Sequence, residues 1–313
     1  MEFKVFIDGE AGTTGLKVAE RLHGHPHVQI LRVDEAERKN AIARADMMAA
    51  SDLTILCLPD EAAIEAVMLA QASQTRLIDA SSTHRIDPDW VYGFAELQPG
   101  QSDAIANGKL ITNPGCYPTG FLALARPLIA SGLLADTALV CAPAVSGYSG
   151  GGKAMIAKHD AGDLHSAFSY GTNLQHKHLG EMTLYSGLKT SPIFMPSVGD
   201  FYAGMLVHMP LHADQIKGST TAAMIYDCLA DWYDGSALVR MGAVAANHAD
   251  VPPMLAADAL AGRNDMELFV FSDATEQRFW LTARLDNLGK GASGAAVQNM
   301  NIALGLDDHF GLS

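Results

Sequence analysis

The sequence predicts an α/β protein in two parts: a doubly wound domain on a parallel sheet, and an α+β domain on a mostly antiparallel sheet. Three observations support this. Short apolar runs alternate with amphipathic stretches through the first third of the chain, a glycine-rich turn joins the first run to the first such stretch, and longer strand-like segments take over from about Asp136.

In the first part, strands are expected at residues 4–7, 28–33, 53–58, 77–80 and 110–112, each an apolar run of strand length. Leu16, Val18, Ala19 and Leu22 recur at helical spacing and define one expected buried face; Ile64, Val67, Met68 and Ala70 define another. Pro59-Asp60-Glu61 supplies a helix start after the third strand. Beyond Asp136, strands are expected at 138–145, 193–195, 205–210, 267–271 and 279–285, with a helix at 221–232. Residues 291–306 return to helical spacing through Ala296, Val297, Met300, Ala303 and Leu304, which suits packing against the first domain. The expected division is therefore 1–115 with 287–313, and 116–286.

At 313 residues the chain is long enough for two cores that need no disulfide or metal staple. A net charge of −14, with no basic run able to follow a phosphate backbone, argues against nucleic acid or an anionic membrane as a partner. Charges within the first apolar run make it a strand rather than a signal peptide, and no stretch reaches the length of a membrane span, so a cytoplasmic enzyme is expected. The four cysteines lack the paired spacings of a zinc ribbon or redox dithiol. Cys57 and Cys141 fall in buried strand runs, where a thiol is an inert packing group.

Gly9-Glu10-Ala11-Gly12-Thr13-Thr14-Gly15 follows the first strand and opens the first helix. Glycines there permit a tight turn and a close backbone approach to a pyrophosphate held at the helix N-terminus, the arrangement of a Rossmann-type dinucleotide-binding domain. Gly9, Gly12, Thr13, Thr14 and Gly15 are thus candidate cofactor contacts. At the end of the second strand an acidic residue would hold ribose hydroxyls and a basic one a 2′-phosphate. Arg32-Val33-Asp34 offers both, with Arg38-Lys39 close behind, and leaves NAD against NADP open.

Asn113-Pro114-Gly115-Cys116-Tyr117-Pro118-Thr119-Gly120 separates the fifth strand from an apolar run. Pro118 suits a first helical turn, so Cys116 is expected at or just before a helix N-terminus, where the dipole and free amides favour a nucleophilic thiolate. Its place after a strand of the nucleotide-binding sheet also puts it near the edge where a nicotinamide is expected. A thiol of ordinary pKa needs a base, and an anionic substrate needs local basic groups in a chain of net negative charge. Arg85 and Lys153 are candidates for the anionic groups. For the base, His176 and His178 stand in Gln175-His176-Lys177-His178-Leu179-Gly180-Glu181, with Glu181 placed to share a helix face with His178 and orient its imidazole.

The glycine turn and the cysteine segment together resemble the N-acetyl-γ-glutamyl-phosphate reductase family, in its shorter form. The likeness continues through Asp79-Ala80-Ser81-Ser82, Ser146-Gly147-Tyr148-Ser149-Gly150-Gly151-Gly152-Lys153 and Lys290-Gly291-Ala292-Ser293-Gly294. It implies a fold similar to that of aspartate-semialdehyde dehydrogenase and glyceraldehyde-3-phosphate dehydrogenase, NADPH as cofactor, and a homodimer or homotetramer. It implies reduction of N-acetyl-γ-glutamyl phosphate to the semialdehyde, with loss of phosphate, through a thioacyl intermediate on Cys116. It also implies His178 as the base, with His176 in reserve, although Lys177 and Gly180 depart from the family's His-Arg-His-x-Pro-Glu. By the same resemblance Ser81, Ser82, Asn287, Lys290 and Gly291 would join the cofactor site, and Asn113, Ser149, Lys153, Arg85 and Glu181 the substrate site.

Two rival readings are an enzyme for aspartyl or aminoadipyl phosphate and a cofactor-binding regulator without catalysis. Cys116 and its candidate base argue against the regulator. The histidines of His23-Gly24-His25-Pro26-His27, and His208 with His212 around Pro210, lack the company or spacing of a metal site, and none is expected.

Overall fold

A computed structural model describes residues 2–242 and 254–312. They fall into two compact units: Met1–Ala95, Gly100–Pro114 and Ala292–Ser313 form the first, Glu96–Pro99 and Gly115–Gly291 the second.

The first unit runs β1 (Phe3–Asp8), α1 (Thr13–Leu22), β2 (Val28–Leu31), α2 (Ala41–Ala50), β3 (Leu53–Leu56), α3 (Asp60–Ala70), β4 (Arg76–Asp79), β5 (Val91–Tyr92), α4 (Gln101–Asn107) and β6 (Leu110–Thr112). The strands stand in the order β2-β1-β3-β4-β6-β5, and every pairing is parallel. This is the doubly wound sheet that the alternation of apolar runs predicts. Three short elements escaped the sequence: α2, whose start is capped by the Asn40 side chain accepting from the Ile42 and Ala43 amides, the two-residue β5, and α4.

The helices turn different faces inward from those expected. In α1, Val18, Ala19 and Leu22 are buried with Gly15, but Leu16 is 46% exposed. In α3 the buried positions are Ala63, Ala66 and Ala70, while Ile64 and Met68 stand out at 48% and 59%. Small alanines let α3 sit close to the sheet, so a core of Phe6, Met48, Leu56, Leu77 and Trp90 packs tightly around Ala66 and Ala70.

The C-terminal helix Gly294–Ala303 returns to this unit with all ten residues buried. Asn299 explains why it fits. Its amide donates to the Gly93 carbonyl at 2.9 Å and to Asn113 Oδ1 at 3.1 Å, and Asn113 Nδ2 donates to the Ala292 carbonyl at 2.9 Å. A Cβ on Gly93 would occupy the position of the Asn299 amide nitrogen.

The second unit begins with α5 (Cys116–Ala130) and continues through β7 (Cys141–Gly147), α6 (Gly152–Asp160), β8 (Ala167–Ser169), α7 (Leu179–Ser186), β9 (Ile193–Gly199), β10 (Met205–His212), α8 (Ala222–Trp232), β11 (Val239–Met241), β12 (Met266–Ser272) and β13 (Arg278–Leu285). Its sheet has the order β11-β12-β13-β10-β7-β9-β8. Pairings are antiparallel except β11 with β12 and β7 with β9. α5 lies directly on this sheet: a Cβ on Gly120 would come within 2.8 Å of Val207 Cγ2. The segment Glu96–Pro99 belongs here because Lys290, Trp232 and Arg126 all bond to it. Among the described residues no helix is long and apolar enough to cross a membrane.

Replacing Asn299 with Ala would leave the buried Gly93 carbonyl and Asn113 Oδ1 without their donor. The unfolding free energy from urea titration is expected to fall by about 2–4 kcal/mol, at ~1–3 kcal/mol per unsatisfied group.

Candidate active site

Two clusters carry the predicted residues, one in each unit. In the first unit Gly9 takes a left-handed conformation, φ +87°, directly after β1. A Cβ there would collide with the Cys57 carbonyl, and one on Gly15 would come within 2.5 Å of the Gly9 carbonyl oxygen. These two glycines are demanded by the turn's own packing. Gly12 differs: its nearest would-be contact is the Gly9 carbonyl at 3.3 Å, and it stands at the N-cap of α1 with no side chain capping the helix. The open helix start and missing side chain suit a pyrophosphate. Thr13 and Thr14 form the first turn behind it.

Gly9, Glu10 and Gly12 line a cavity of about 780 Å³, whose lining also includes Arg32, Arg38 and Lys39 but not Asp34. Of Arg32-Val33-Asp34, the basic member lines the cavity and the acidic one does not. Deeper in, Asp8 is held by Arg44 at 2.9 Å, both buried, and burial keeps the Asp8 carboxyl above its ordinary pKa despite that partner. Burial, with Asp79 and Asp8 nearby, pushes the Cys57 thiol up to about 12. It therefore stays protonated at neutral pH, although Cys57 lies just past β3, half-buried and lining the cavity, rather than in a buried strand as expected, and Cys141 in β7 is half-buried too.

Asp79 organises the loop after β4, a role the sequence did not reveal. Fully buried, it accepts from Ser81 N at 2.8 Å and Ser81 Oγ at 2.7 Å, and lies 2.7 Å from His84 Nδ1. The His84 ring stacks on Trp90 at 4.3 Å. Ser82 bonds instead to the Asp60 carboxylate through its amide and hydroxyl, at 2.9 and 2.7 Å. Arg85 is buried and donates to the Ala80 carbonyl at 3.2 Å. Asn113 has both ends of its amide engaged, by Ala292 and Asn299. It fastens the end of β6 to the C-terminal segment.

In the second unit Cys116 is the first residue of α5, with Gly115 at the N-cap, as the strand–turn–helix punctuation predicts. Glu181 is fully buried and accepts from the Gly115 N–H at 2.9 Å. The carboxylate assigned by helical spacing to His178 thus holds the backbone before the thiol. On the other side a Cβ on Gly291 would come within 2.7 Å of Cys116 Cβ. Gly291, expected at the cofactor, is the residue whose missing side chain makes room for the cysteine.

His178 is buried at the N-cap of α7. Its ring lies 6.0 Å from that of Tyr117, the residue next to Cys116, and meets His176 edge-on at 4.6 Å. His176 Nδ1 accepts from the His178 backbone N–H at 3.2 Å. Tyr117 donates to the Ser197 carbonyl at 3.0 Å. Tyr170, bonded to Tyr117, has its hydroxyl pushed up to about 12 by burial. Neither tyrosine stood out in the sequence; only adjacency to Cys116 could have flagged Tyr117.

Of the remaining polar candidates, Asn287, Ser149 and Lys290 make hydrogen bonds within the protein. The Asn287 amide accepts from Gly204 N at 2.8 Å and donates to Ser149 Oγ at 3.0 Å, so Asn287 and Ser149 together brace the glycine-rich stretch before α6. Lys290, buried in a π-helical turn, holds both oxygens of Glu96 at 2.8 Å. Lys153 is exposed in the first turn of α6. His25 and His27 pack on Phe310 at 5.0 and 5.6 Å, and His208 Nδ1 accepts from Trp280 Nε1 at 3.0 Å.

A family model described as the semialdehyde dehydrogenase NAD-binding domain matches residues 4–105, and one described as the semialdehyde dehydrogenase dimerisation domain matches residues 116–287. The fold is shared with aspartate semialdehyde dehydrogenase II of Vibrio cholerae, at TM-score 0.71 and 16% identity over 97% of this chain and 98% of that one. It is shared also with the Candida albicans aspartate semialdehyde dehydrogenase solved with NADP, at TM-score 0.67 and 14% identity over 96% and 98%. The class is thus that of the semialdehyde dehydrogenases, oxidoreductases with a nucleotide-binding first domain. Within it, the N-acetyl-gamma-glutamyl-phosphate reductase of Brucella melitensis biotype 1 is 48% identical over 97% of this chain and its own full length. That of Trichormus variabilis is 46% identical over 99% of each. The chain belongs to the N-acetyl-γ-glutamyl-phosphate reductase family.

Gly291→Ala should displace Cys116 without dismantling the fold, since overpacking costs about 1–3 kcal/mol. The expected outcome is loss of roughly 100-fold in turnover, the scale of an ångström's misplacement at a reacting atom, with a parallel fall in the rate of Cys116 alkylation by iodoacetamide.

Proposed function

We propose that this protein reduces N-acetyl-γ-glutamyl phosphate to N-acetylglutamate semialdehyde, with NADPH as cofactor and Cys116 as nucleophile. The single observation that carries the mechanism is Cys116 at the N-terminus of α5, its surroundings cleared by Gly291 and its helix start held by Glu181. Relatives of 46–48% identity supply the choice of acyl phosphate over the aspartyl and aminoadipyl alternatives.

In the reaction, His178 takes the thiol proton as Sγ attacks the acyl carbon. The bond from that carbon to the phosphate oxygen breaks, inorganic phosphate leaves, and the acyl group remains on Sγ as a thioester. The cofactor, when bound, supplies a hydride to the thioester carbon. The resulting hemithioacetal oxyanion receives a proton or hydrogen bond from the His178 imidazolium, and its collapse frees the aldehyde and the Cys116 sulfur. His178 is the proposed base from the family resemblance, with His176, whose ring meets it edge-on at 4.6 Å, in reserve.

Gly9, Gly12 and Gly15 shape the turn that would hold the pyrophosphate, with Thr13 and Thr14 in the helix turn behind it, and Arg32, with Arg38 and Lys39 in the same cavity lining, would meet a 2′-phosphate. Arg85 and Lys153 are the proposed partners of the substrate's anionic groups. The match to a dimerisation domain supports assembly, and a homodimer or homotetramer in the cytoplasm is the form proposed.

The reverse direction gives the test: formation of NADPH from N-acetylglutamate semialdehyde, NADP⁺ and phosphate. Cys116→Ser is expected to lower turnover by at least ~10³-fold, and His178→Asn by ~10²–10⁴-fold. Substantial turnover by Cys116→Ser would remove the covalent mechanism; a preference of the wild type for aspartate semialdehyde would remove the substrate assignment alone.

A further inference from the structure

We propose that Glu10 is a built-in competitor for the cofactor's 2′-phosphate, lowering the preference for NADP over NAD by occupying Arg32. The inference rests on the reading of the first unit's cavity as the cofactor site. Glu10 stands inside the glycine turn, between Gly9 and Gly12, where a cofactor site for an anion has least use for a carboxylate. Arg32 Nε lies 3.1 Å from each Glu10 oxygen, and Arg32 Nη2 lies 3.0 Å from Oε1. Both side chains line the cavity.

The other basic groups of that lining do not replace Arg32 equally. Arg44 is held by Asp8 at 2.9 Å and by Glu65 at 3.3 Å. Arg38 is paired with Glu35 at 2.8 Å. Arg32 differs in being the planar, multi-donor group bonded to the glycine turn itself, and its Nε and Nη2 already face a carboxylate. A phosphate dianion and the Glu10 carboxylate want the same donors, and both cannot have them at full strength. The pair is open to water, with 58% and 29% of the two side chains exposed, so it is weak enough to be displaced but not without cost. A dinucleotide with a free 2′-hydroxyl leaves the pair closed and meets no such competition.

The test is isothermal titration calorimetry of the whole protein with NADP⁺, NAD⁺ and 2′,5′-ADP at low ionic strength, comparing wild type, Glu10→Gln, Glu10→Ala, Arg32→Gln and the Glu10→Gln/Arg32→Gln double variant. Both Glu10 variants should bind NADP⁺ and 2′,5′-ADP ~3- to 10-fold more tightly, with NAD⁺ changed less than about twofold, the scale of an exposed ion pair. The gain should shrink in the Arg32→Gln background, where no guanidinium remains to be released. Unchanged or weaker NADP⁺ binding by the Glu10 variants, or a shift in preference that comes from loss of NAD⁺ affinity, would overturn the proposal. So would an equal gain without Arg32. If the wild type binds none of the three ligands, the cofactor reading fails and takes this one with it. Wild-type NADP⁺ binding that Glu10 substitution leaves untouched removes the Glu10 role alone.

Discussion

Cys116 owes its position to three separated segments that meet at the start of α5. Glu181, from the first turn of α7, holds the Gly115 amide. Gly291, from the π-helical turn after β13, leaves the gap that the cysteine side chain fills. Tyr117, the next residue, ties α5 to the sheet through the Ser197 carbonyl. Each contact joins residues far apart in sequence, so the thiol is placed by the tertiary packing of the whole second unit. That is a reasonable price in design for a nucleophile, which gains from a fixed approach more than from any single neighbour.

The same economy of side chains governs the glycine turn in the first unit. Gly9 and Gly15 are required because strand and turn backbones come too close for a Cβ. Gly12 is not forced in this way, and its bare position at an uncapped helix start is what a bound anion would use. Around it the charges are arranged in pairs: Asp8 with Arg44 below the turn, Glu10 with Arg32 beside it. The buried pair is structural, since removing either member would strand a charge away from water. The exposed pair is exchangeable.

Much of this was legible in the sequence, and the part that was not has a common cause. The alternation of strands and helices, the helix start at Cys116 and the return of the C-terminal helix all leave local signals: periodicity, proline and glycine punctuation, and apolar spacing. Orientation of α3 left none, because Ala63, Ala66 and Ala70 are buried for their small size while the more hydrophobic Ile64 and Met68 are not. Polar residues inside glycine-rich stretches were the other blind spot. The partners that Asn113, Asn287 and Lys290 have within the protein, Asn299, Ser149 with Gly204, and Glu96, left no signal in the sequence. A buried polar side chain needs a partner whether or not a ligand is near, and sequence spacing does not show which partner it has. Glu181 adds a long-range case: it stands three residues from His178, and one of its carboxylate oxygens accepts from the distant amide of Gly115.

The covalent role of Cys116 is tested most directly by a rapid-mixing experiment without phosphate. Enzyme, NADP⁺ and N-acetylglutamate semialdehyde should give a burst of NADPH close to one equivalent per active site and then stall, because the thioester on Cys116 has no acceptor until phosphate is added. Steady turnover in the absence of phosphate beyond slow hydrolysis, or an equal burst from Cys116→Ser, would contradict the account.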